Sequence, residues 1–196
     1  MRARSHASRE AIIQAALALW RTKGFAATTV TDICKAADVS KGLFYVYFER
    51  REDVLLEIEV FTMSDAHAAA EAVASGPYEL ADLIEALIEH LERDCRRYPA
   101  ELVFECVIET YRAERRALAG GATDADLAFL FLQPFRRAQR DGKIPPDADV
   151  VRLARIAQMF IGDGIRHWAA SDLRQESLAE PLAREISAAV QGLANL

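Results

Sequence analysis

The sequence lacks any uninterrupted apolar run of about 18 residues, the length that a membrane-spanning helix requires. It begins MRARSHASRE, a charged segment that no apolar stretch follows, which argues against a secretory signal. Cysteine is scarce, because Cys34, Cys95 and Cys106 are odd in number, far apart and outside any metal-ligand spacing. This usage is typical of a reducing compartment. We therefore expect a cytoplasmic protein without a membrane partner or a metal site.

Sequence signatures of catalysis are missing as well. No Ser-His-Asp candidate, HExxH, P-loop or GxGxxG pattern occurs. The four histidines stand apart, with no pair one helical turn apart: His6, His67, His90 and His167. Glu105 and Glu109, one turn apart in a predicted helix, come nearest to a catalytic carboxylate pair. Such a pair more often forms a solvated face or an ion pair, so we expect neither an enzyme nor a cofactor.

No stretch alternates apolar and polar residues as a β-strand does, and the predicted fold class is all-α with about nine helices. The first helix is predicted over about 9–23 and ends at Gly24, after a short, mobile basic arm at residues 1–8. A later helix is predicted over about 124–140, and Pro134 inside it should kink or split it.

The net charge of −6 is unevenly distributed along the chain. Residues 1–51 hold nine basic and four acidic side chains, a net charge of +5, so residues 52–196 carry −11. A basic segment attached to an acidic body is the charge pattern of a protein with one nucleic-acid-binding face.

Two short predicted helices joined by a tight turn stand out in residues 29–48. The first is predicted over 30–37, with Thr29 as its N-cap and Asp32 in the third helical position as a short-armed capping box. The turn that follows needs a residue that tolerates a left-handed backbone, and Asp38 is of such a type.

The second of these helices, predicted over 41–49 with Ser40 as its cap, has an unusual outer face. Phe44 and Phe48 are one turn apart and anchor it to the core, which leaves the other side to Lys41, Gly42, Leu43, Tyr45, Val46 and Tyr47. A lysine, a glycine that permits close approach, tyrosine hydroxyls and small apolar groups suit phosphates and thymine methyls in a DNA major groove. The layout is that of a helix-turn-helix. The alternative is a helical hairpin buried in a larger core.

The N-terminal sequence resembles the DNA-binding domain of the TetR family of transcriptional regulators over roughly residues 9–56. The matching residues are Lys23-Gly24-Phe25, Thr28-Thr29-Val30, Ile33, Val39-Ser40-Lys41-Gly42, Phe44-Tyr45, Tyr47-Phe48 and Arg51-Glu52-Asp53-Val54. The chain departs from the family pattern at Asp38, where glycine is usual, and at Leu43, where a small hydroxyl residue is frequent. Glu49 adds a negative charge at the end of the recognition helix. Leu43 and Glu49 leave the DNA sequence preference open.

The resemblance implies a set of DNA contacts on these two helices. Residues expected near phosphates are Thr29, Thr31, Lys41, Tyr47 and Arg51, with Gly42 allowing close approach; those expected at base edges are Leu43, Tyr45 and Val46, and Ser40 caps the helix that carries them. For several of these residues a structural role is the alternative. Thr29 then only caps, Tyr45 only packs, and Lys41 and Arg51 are only solvated charges.

Two C-terminal helices, predicted over about 149–170 and 178–193, have more apolar width than one small body needs to cover. Adjacent helices of this kind favour a four-helix seam with a second copy, as the resemblance also implies. The residues predicted at this homodimer interface are Ile156, Phe160, Ile161, Leu182, Ile186, Ala189 and Val190. The alternative is that both stripes belong to the chain's own core.

The resemblance further implies a small-molecule effector bound in the C-terminal body. Such a site needs an apolar cavity with a few polar groups. The residues predicted to line it are Phe61, His90, Phe104, Glu105, Tyr111, Phe131, Phe135, Met159 and Trp168, each of which is also a candidate for plain core.

We therefore predict an N-terminal helix-turn-helix DNA-binding domain over 1–51 and a C-terminal helical effector-binding and dimerisation domain over 52–196. The expected function is that of a homodimeric repressor, released from a near-palindromic double-stranded DNA operator by a small, largely apolar ligand. The alternatives are a DNA-binding regulator without a small-molecule effector, a regulator that answers to a protein partner, and an all-α enzyme.

Overall fold

A computed structural model of the chain describes residues 2–127, 130–171 and 177–194, with side chains at all of these positions except 2–5 and 58–62. The described residues form ten α-helices, one 3₁₀ helix and no strand. The helices are α1 (Arg2–Lys23), α2 (Val30–Ala36), α3 (Lys41–Tyr47), the 3₁₀ helix (Arg51–Val54), α4 (Leu55–Val73), α5 (Leu80–Cys95), α6 (Ala100–Ala119), α7 (Asp124–Leu127), α8 (Leu132–Arg140), α9 (Val150–Ala170) and α10 (Ala179–Ala194). The predicted all-α fold is confirmed, and the predicted number of about nine helices is too low.

The N-terminal residues differ from the prediction of a mobile arm. Helix α1 begins at Arg2 rather than at about residue 9. Residues 2–8 contain neither glycine nor proline, so nothing in their sequence interrupts the helix that follows them.

The helix predicted over 124–140 is divided into α7 and α8. Pro134 lies in the first turn of α8, where a backbone N–H has no intrahelical partner and its absence breaks no bond. The expected split therefore occurs ahead of the proline.

The first three helices, which we call the head, share one apolar core. Trp20 of α1, Ile33 of α2 and Phe44 of α3 are almost completely buried in it. Leu55 of α4 and Leu102 of α6 belong to the same cluster. The head therefore packs against α4 and α6, and a shift of either helix would displace side chains in the head core.

Helices α4 to α10, which we call the body, form a second core. Helix α5 packs on α4 and α10, while α9 packs on α6, α8 and α10. The buried Glu92 of α5 accepts a hydrogen bond from the backbone N–H of Ala179 at 2.9 Å, which places a carboxylate at the N-terminus of α10. Within the described ranges, no helix is both long and apolar enough to cross a membrane.

Candidate functional site

The start of α2 is held by the predicted capping box. The backbone N–H of Asp32 donates to Thr29 Oγ1 at 3.2 Å, and the backbone N–H of Thr29 donates to Asp32 Oδ2 at 2.8 Å. Lys23 Nζ donates to the same Oδ2 at 2.8 Å. The hydrogen bonds from Lys23 and Thr29 hold the pKa of Asp32 well below its usual range. The capping role of Thr29 is confirmed, and its DNA contact stays a prediction.

The turn and the start of α3 also follow local sequence rules. Asp38 has a φ of 54°, in the left-handed region expected of the turn residue. The backbone N–H of Leu43 donates to Ser40 Oγ at 3.1 Å, so Ser40 caps α3 as predicted. The helix ends at Tyr47 rather than at Glu49, because Phe48 has an extended backbone with φ −136°.

Helix α3 buries one side and exposes the other. Phe44 and Phe48 are in the head core with ring centroids 5.7 Å apart, as predicted. On the opposite side Tyr45 is 54% and Val46 73% exposed. We call this side the α3 face: Lys41, Gly42, Tyr45 and Val46, which are exposed, with the half-buried Leu43 and Tyr47 at its edges. Nothing in the described chain covers the two large side chains at its centre.

Gly42 has no role in packing the chain itself. A Cβ atom built at Gly42 would meet only Ser40 Oγ, at an ordinary distance of 3.8 Å. Its φ is not positive either, because the described glycines with a positive φ are Gly24, Gly121 and Gly142. The folded chain therefore has room for a side chain on this exposed helix surface, and its own packing does not require glycine here.

The cations of the head fall into two groups. Lys41 on α3 and Lys35 on α2 are exposed and carry no ion pair with any described residue, whereas Lys23 is bound to Asp32 and Arg9 to Glu57 at 2.5 Å. Lys35 was not among the predicted DNA contacts. Its position in the sequence could have predicted this contact, because Lys35 follows Thr31 by one helical turn and both lie on the exposed side of α2.

Arg51, which was predicted to contact a phosphate, binds the head itself through its guanidinium in this structure. Nη1 donates to the carbonyl oxygen of Phe25 at 3.0 Å and to that of Thr28, and Nη2 donates to Glu52 Oε1 at 3.1 Å. The guanidinium also lies 4.2 Å from the centre of the Phe25 ring. Arg51 thus ties the loop between α1 and α2 to the 3₁₀ helix.

We predict that Arg51→Lys lowers the free energy of unfolding by roughly 1.5–3 kcal/mol, because an ammonium cannot reproduce the paired carbonyl bonds and the ring stacking. Arg51→Gln, which also removes the charge, should leave the salt slope of DNA binding unchanged, because the guanidinium is already bound within the head. Denaturant unfolding and DNA titration at several salt concentrations measure both quantities. A salt slope reduced by about one in Arg51→Gln would instead indicate a phosphate contact.

A cavity of about 110 Å³ lies in the body beside α6 and α9. Its lining is mostly apolar and consists of Met63, Leu91, Cys95, Tyr98, Leu102, Val103, Cys106, Val107, Thr110, Tyr111, Glu114, Leu130, Gln158, Ile161, Gly162 and Ile165. Leu102 belongs to both this lining and the head core, so the cavity touches the head directly. No group of three or more metal-ligating side chains occurs in the described part of the chain.

The predicted lining residues are mostly elsewhere. Among the described residues, Tyr111 alone of the nine candidates lines this cavity. Phe131 and Phe135 fill the body core, and Trp168 is buried outside that cluster. Met159 is exposed, His90, Phe104 and Glu105 are half-buried outside the lining, and the side chain of Phe61 lies outside those described. Sequence reasoning missed the polar lining residues Thr110, Glu114 and Gln158, although Glu114 follows Tyr111 by three residues on one helix.

The residues predicted at a dimer seam are divided between core and surface. Ile161, Leu182, Ile186 and Val190 are buried in the body core of the single chain. For these four, the alternative of ordinary core holds, because side chains of the same chain already cover them. Ile156 and Ala189 are half-buried and Phe160 is 37% exposed. The seam itself stays a prediction, with α9 supplying its exposed apolar groups.

The N-terminal segment matches a protein family. Residues 12–58 match the family model described as bacterial regulatory proteins, tetR family. A curated relative, the uncharacterized HTH-type transcriptional regulator YerO of Bacillus subtilis (strain 168), is 44% identical over 48 residues. That match covers 24% of this chain and 17% of YerO, so the chain matches only about a sixth of its relative's length.

Solved structures match over nearly the whole chain. Thermus thermophilus FadR, a TetR-family transcriptional repressor solved with lauroyl-CoA, has a TM-score of 0.75 and 24% identity over 93% of each chain. RolR, solved with its ligand resorcinol, has a TM-score of 0.66 and 16% identity over 99% of this chain and 96% of its own. At these identities the likeness establishes the fold. The TetR-family resemblance inferred from residues 9–56 is confirmed.

Proposed function

We propose that this chain, with its TetR-family helix-turn-helix head, is a sequence-specific DNA-binding transcriptional regulator that inserts α3 into a major groove. The observation that carries the proposal is the exposed α3 face. Tyr45 and Val46 are large, exposed and uncovered on a helix whose own packing needs are met by Phe44 and Phe48. Lys41 stands at the start of the same helix with its charge unpaired by described residues.

Each group on this face suits a different part of DNA. Lys41 is placed to neutralise a phosphate, and Gly42 to let the sugar-phosphate backbone approach α3. Leu43, Tyr45 and Val46 offer apolar contact to thymine methyls and, through the tyrosine hydroxyl, a hydrogen bond to a base edge. Thr31, already predicted near a phosphate, and Lys35, which is added here, are proposed phosphate contacts on the exposed side of α2.

The proposed DNA-binding unit is a dimer of two copies of the chain. One recognition helix per chain reads one half-site, and a two-fold dimer then reads a near-palindromic operator with half-sites about 34–36 Å apart. The exposed Met159 and Phe160 and the half-buried Ile156 on α9 support a dimer surface there. Sedimentation at micromolar concentration measures whether the chain is a dimer.

A small, largely apolar ligand in the cavity is the proposed signal that releases the operator. The position of Leu102 in both the cavity lining and the head core supports this proposal, because a ligand that moves α6 also moves a side chain packed in the head core. A typical coupling of about 1–3 kcal/mol would weaken operator binding by roughly 5–150-fold. A regulator without a small-molecule effector is the second candidate.

Lys41→Ala tests the DNA-binding proposal. It should weaken binding to all DNA sequences alike and reduce the slope of log affinity against log salt by about one, because one phosphate contact is lost. Lys143→Ala is the matched control, since Lys143 lies in the body and pairs with Glu79 at 3.1 Å. Titrations of duplexes at several salt concentrations give both slopes.

Leu43→Ala in the same titrations separates recognition of the base sequence from electrostatic attraction to the phosphates. Loss of an apolar contact to a thymine methyl should alter the preference among operators and leave the salt slope intact. If Lys41→Ala changed sequence preference while the salt slope stayed the same, the assignment of phosphate and base contacts would be wrong.

A further inference from the structure

The cavity beside α6 and α9 has an unusual charge composition. Of the described side chains that line it, Glu114 is the one carboxylate, and none is a lysine, arginine or histidine. A ligand with a negative head group therefore finds no cation in this lining, and it meets a carboxylate instead. The remaining polar groups, such as Thr110 and Gln158, are neutral.

Glu114 is half-buried on α6, and it makes no hydrogen bond or ion pair with the residues that the structure describes. Burial raises the pKa of its carboxyl group, and no nearby cation opposes that effect. Arg166 is the cation near the neighbouring Tyr111, and its guanidinium is bound to Asp163 at 2.5 Å. A half-buried carboxylate without a partner is costly unless a ligand supplies one.

Tyr111 forms the wall next to this carboxylate. It is 45% exposed, which places it at the rim of the cavity, and its hydroxyl lies against α9 at Gly162. A Cβ atom at Gly162 would be 2.6 Å from that hydroxyl, so the glycine is what allows the ring to lie there. The face of a tyrosine ring attracts cations, worth about 0.5–1 kcal/mol at exposed sites.

The inner end of the cavity is apolar. Leu102, Leu130 and Ile161 are at most 2% exposed and supply its deepest walls. An empty apolar space of about 150 Å³ is known to admit benzene, and this cavity of about 110 Å³ is of similar size. Its inner end therefore suits one ring or a short aliphatic chain, while its rim carries the charge.

We propose that this cavity binds a small apolar amine in its protonated form, with the ammonium group at Glu114 and Tyr111 and the apolar part between α6 and α9. The inference rests on the proposed function in one respect: it names the class of effector for the same cavity. Electrostatic attraction to Glu114 and to the Tyr111 ring selects the cation, and the apolar inner end selects the body of the ligand.

Three probes of nearly the same size test this inference: 2-phenylethylamine, 2-phenylethanol and phenylacetate. Isothermal titration calorimetry on the full chain should show the amine binding roughly 10-fold or more tightly than the alcohol, and phenylacetate weakest of all. Glu114→Gln should weaken the amine roughly 10–100-fold and leave the alcohol almost unchanged. Glu105→Gln is the matched control, because Glu105 is half-buried on the same helix outside the lining.

Equal or absent binding of all three probes, or an amine affinity that survives Glu114→Gln in a variant with wild-type thermal unfolding, would overturn the inference. Operator titrations with and without the amine test the proposed function separately. If the amine binds through Glu114 while operator affinity stays the same, the ligand class stands and the proposed release fails. If the free chain binds no operator, the DNA-binding proposal fails, and the calorimetric result is unaffected.

Discussion

Glu109→Gln is expected to lower the free energy of unfolding by about 3 kcal/mol. Glu109 lies on α6 with 0% of its surface exposed. Its Oε1 accepts hydrogen bonds from Arg50 Nη2 at 2.6 Å and from Arg116 Nη2 at 2.9 Å, and its Oε2 lies 3.5 Å from Arg112 Nη1. Arg50 lies three residues after the end of α3, so this cluster joins the head to the body.

The size of the effect depends on how well water can hydrate the three arginines once the carboxylate is gone. Breaking a buried ion pair by removing one partner costs about 3–5 kcal/mol. The lower end applies because the side chains of Arg50, Arg112 and Arg116 are 40%, 52% and 44% exposed and recover water when the carboxylate is gone. Arg50 also keeps its ion pair with Asp53 at 2.6 Å.

The effect should depend on pH in a defined direction. Burial by itself would raise the pKa of Glu109, but the hydrogen bonds from Arg50 and Arg116 outweigh it, and the pKa is lowered. An unfolded glutamate has a pKa of about 4.3, so the stabilisation is complete well above that pH and is lost as the pH falls through the lower, folded pKa. The gap between wild type and Glu109→Gln should therefore narrow in acid.

Denaturant unfolding of both proteins at neutral and acid pH measures this gap. Glu105→Gln, one turn earlier on α6, is the control, because no ion pair of Glu105 occurs among the described residues. A Glu109→Gln protein as stable as the wild type at neutral pH, or a gap that does not change with pH, would contradict the assigned role.

Gly42→Ala is expected to raise stability and weaken operator binding at the same time. Alanine is favoured over glycine inside a helix by up to about 1 kcal/mol, and the new methyl group meets only Ser40 Oγ at 3.8 Å. In the proposed complex with DNA, the same methyl group would lie where the sugar-phosphate backbone approaches. Overpacking of a close contact costs about 1–3 kcal/mol, which corresponds to roughly 5–150-fold in operator affinity.

Gly192→Ala provides a matched control for this substitution. Gly192 lies in α10, and a Cβ atom built there meets nothing within 4 Å. It should give a comparable gain in thermal stability without any change in DNA binding, because α10 is in the body. If Gly42→Ala bound the operator as tightly as the wild type, close approach of DNA at this position would be excluded.

The local geometry of the helix-turn-helix was predictable from its own residues. The capping box of Thr29 and Asp32, the left-handed backbone at Asp38 and the buried pair of Phe44 and Phe48 all follow from residues within one helical turn of each other. Interactions over such short separations depend on few neighbours, so residue type and spacing are enough to predict them. The TetR-family resemblance rests on the same local pattern.

The partners of charged side chains were decided by the tertiary structure. Arg50 binds Glu109, 59 residues away, and Arg51 binds the carbonyl oxygen of Phe25, 26 residues away. A long, flexible guanidinium reaches phosphate, carboxylate and carbonyl oxygen equally well, and its sequence position does not distinguish among them. The positive charge of the head was therefore predictable, whereas the share of it available to DNA was not.

Tertiary packing also decided which apolar side chains are core, cavity lining or surface. The spacing of Ile161, Leu182, Ile186 and Val190 correctly predicts apolar stripes on two helices, but these residues are covered by their own chain. Helical periodicity shows only that a stripe avoids water, and either a neighbouring helix or a second copy satisfies that requirement. The position of Glu114 in the cavity likewise depends on how α6 is rotated against α9, which is set by contacts between residues far apart in the chain.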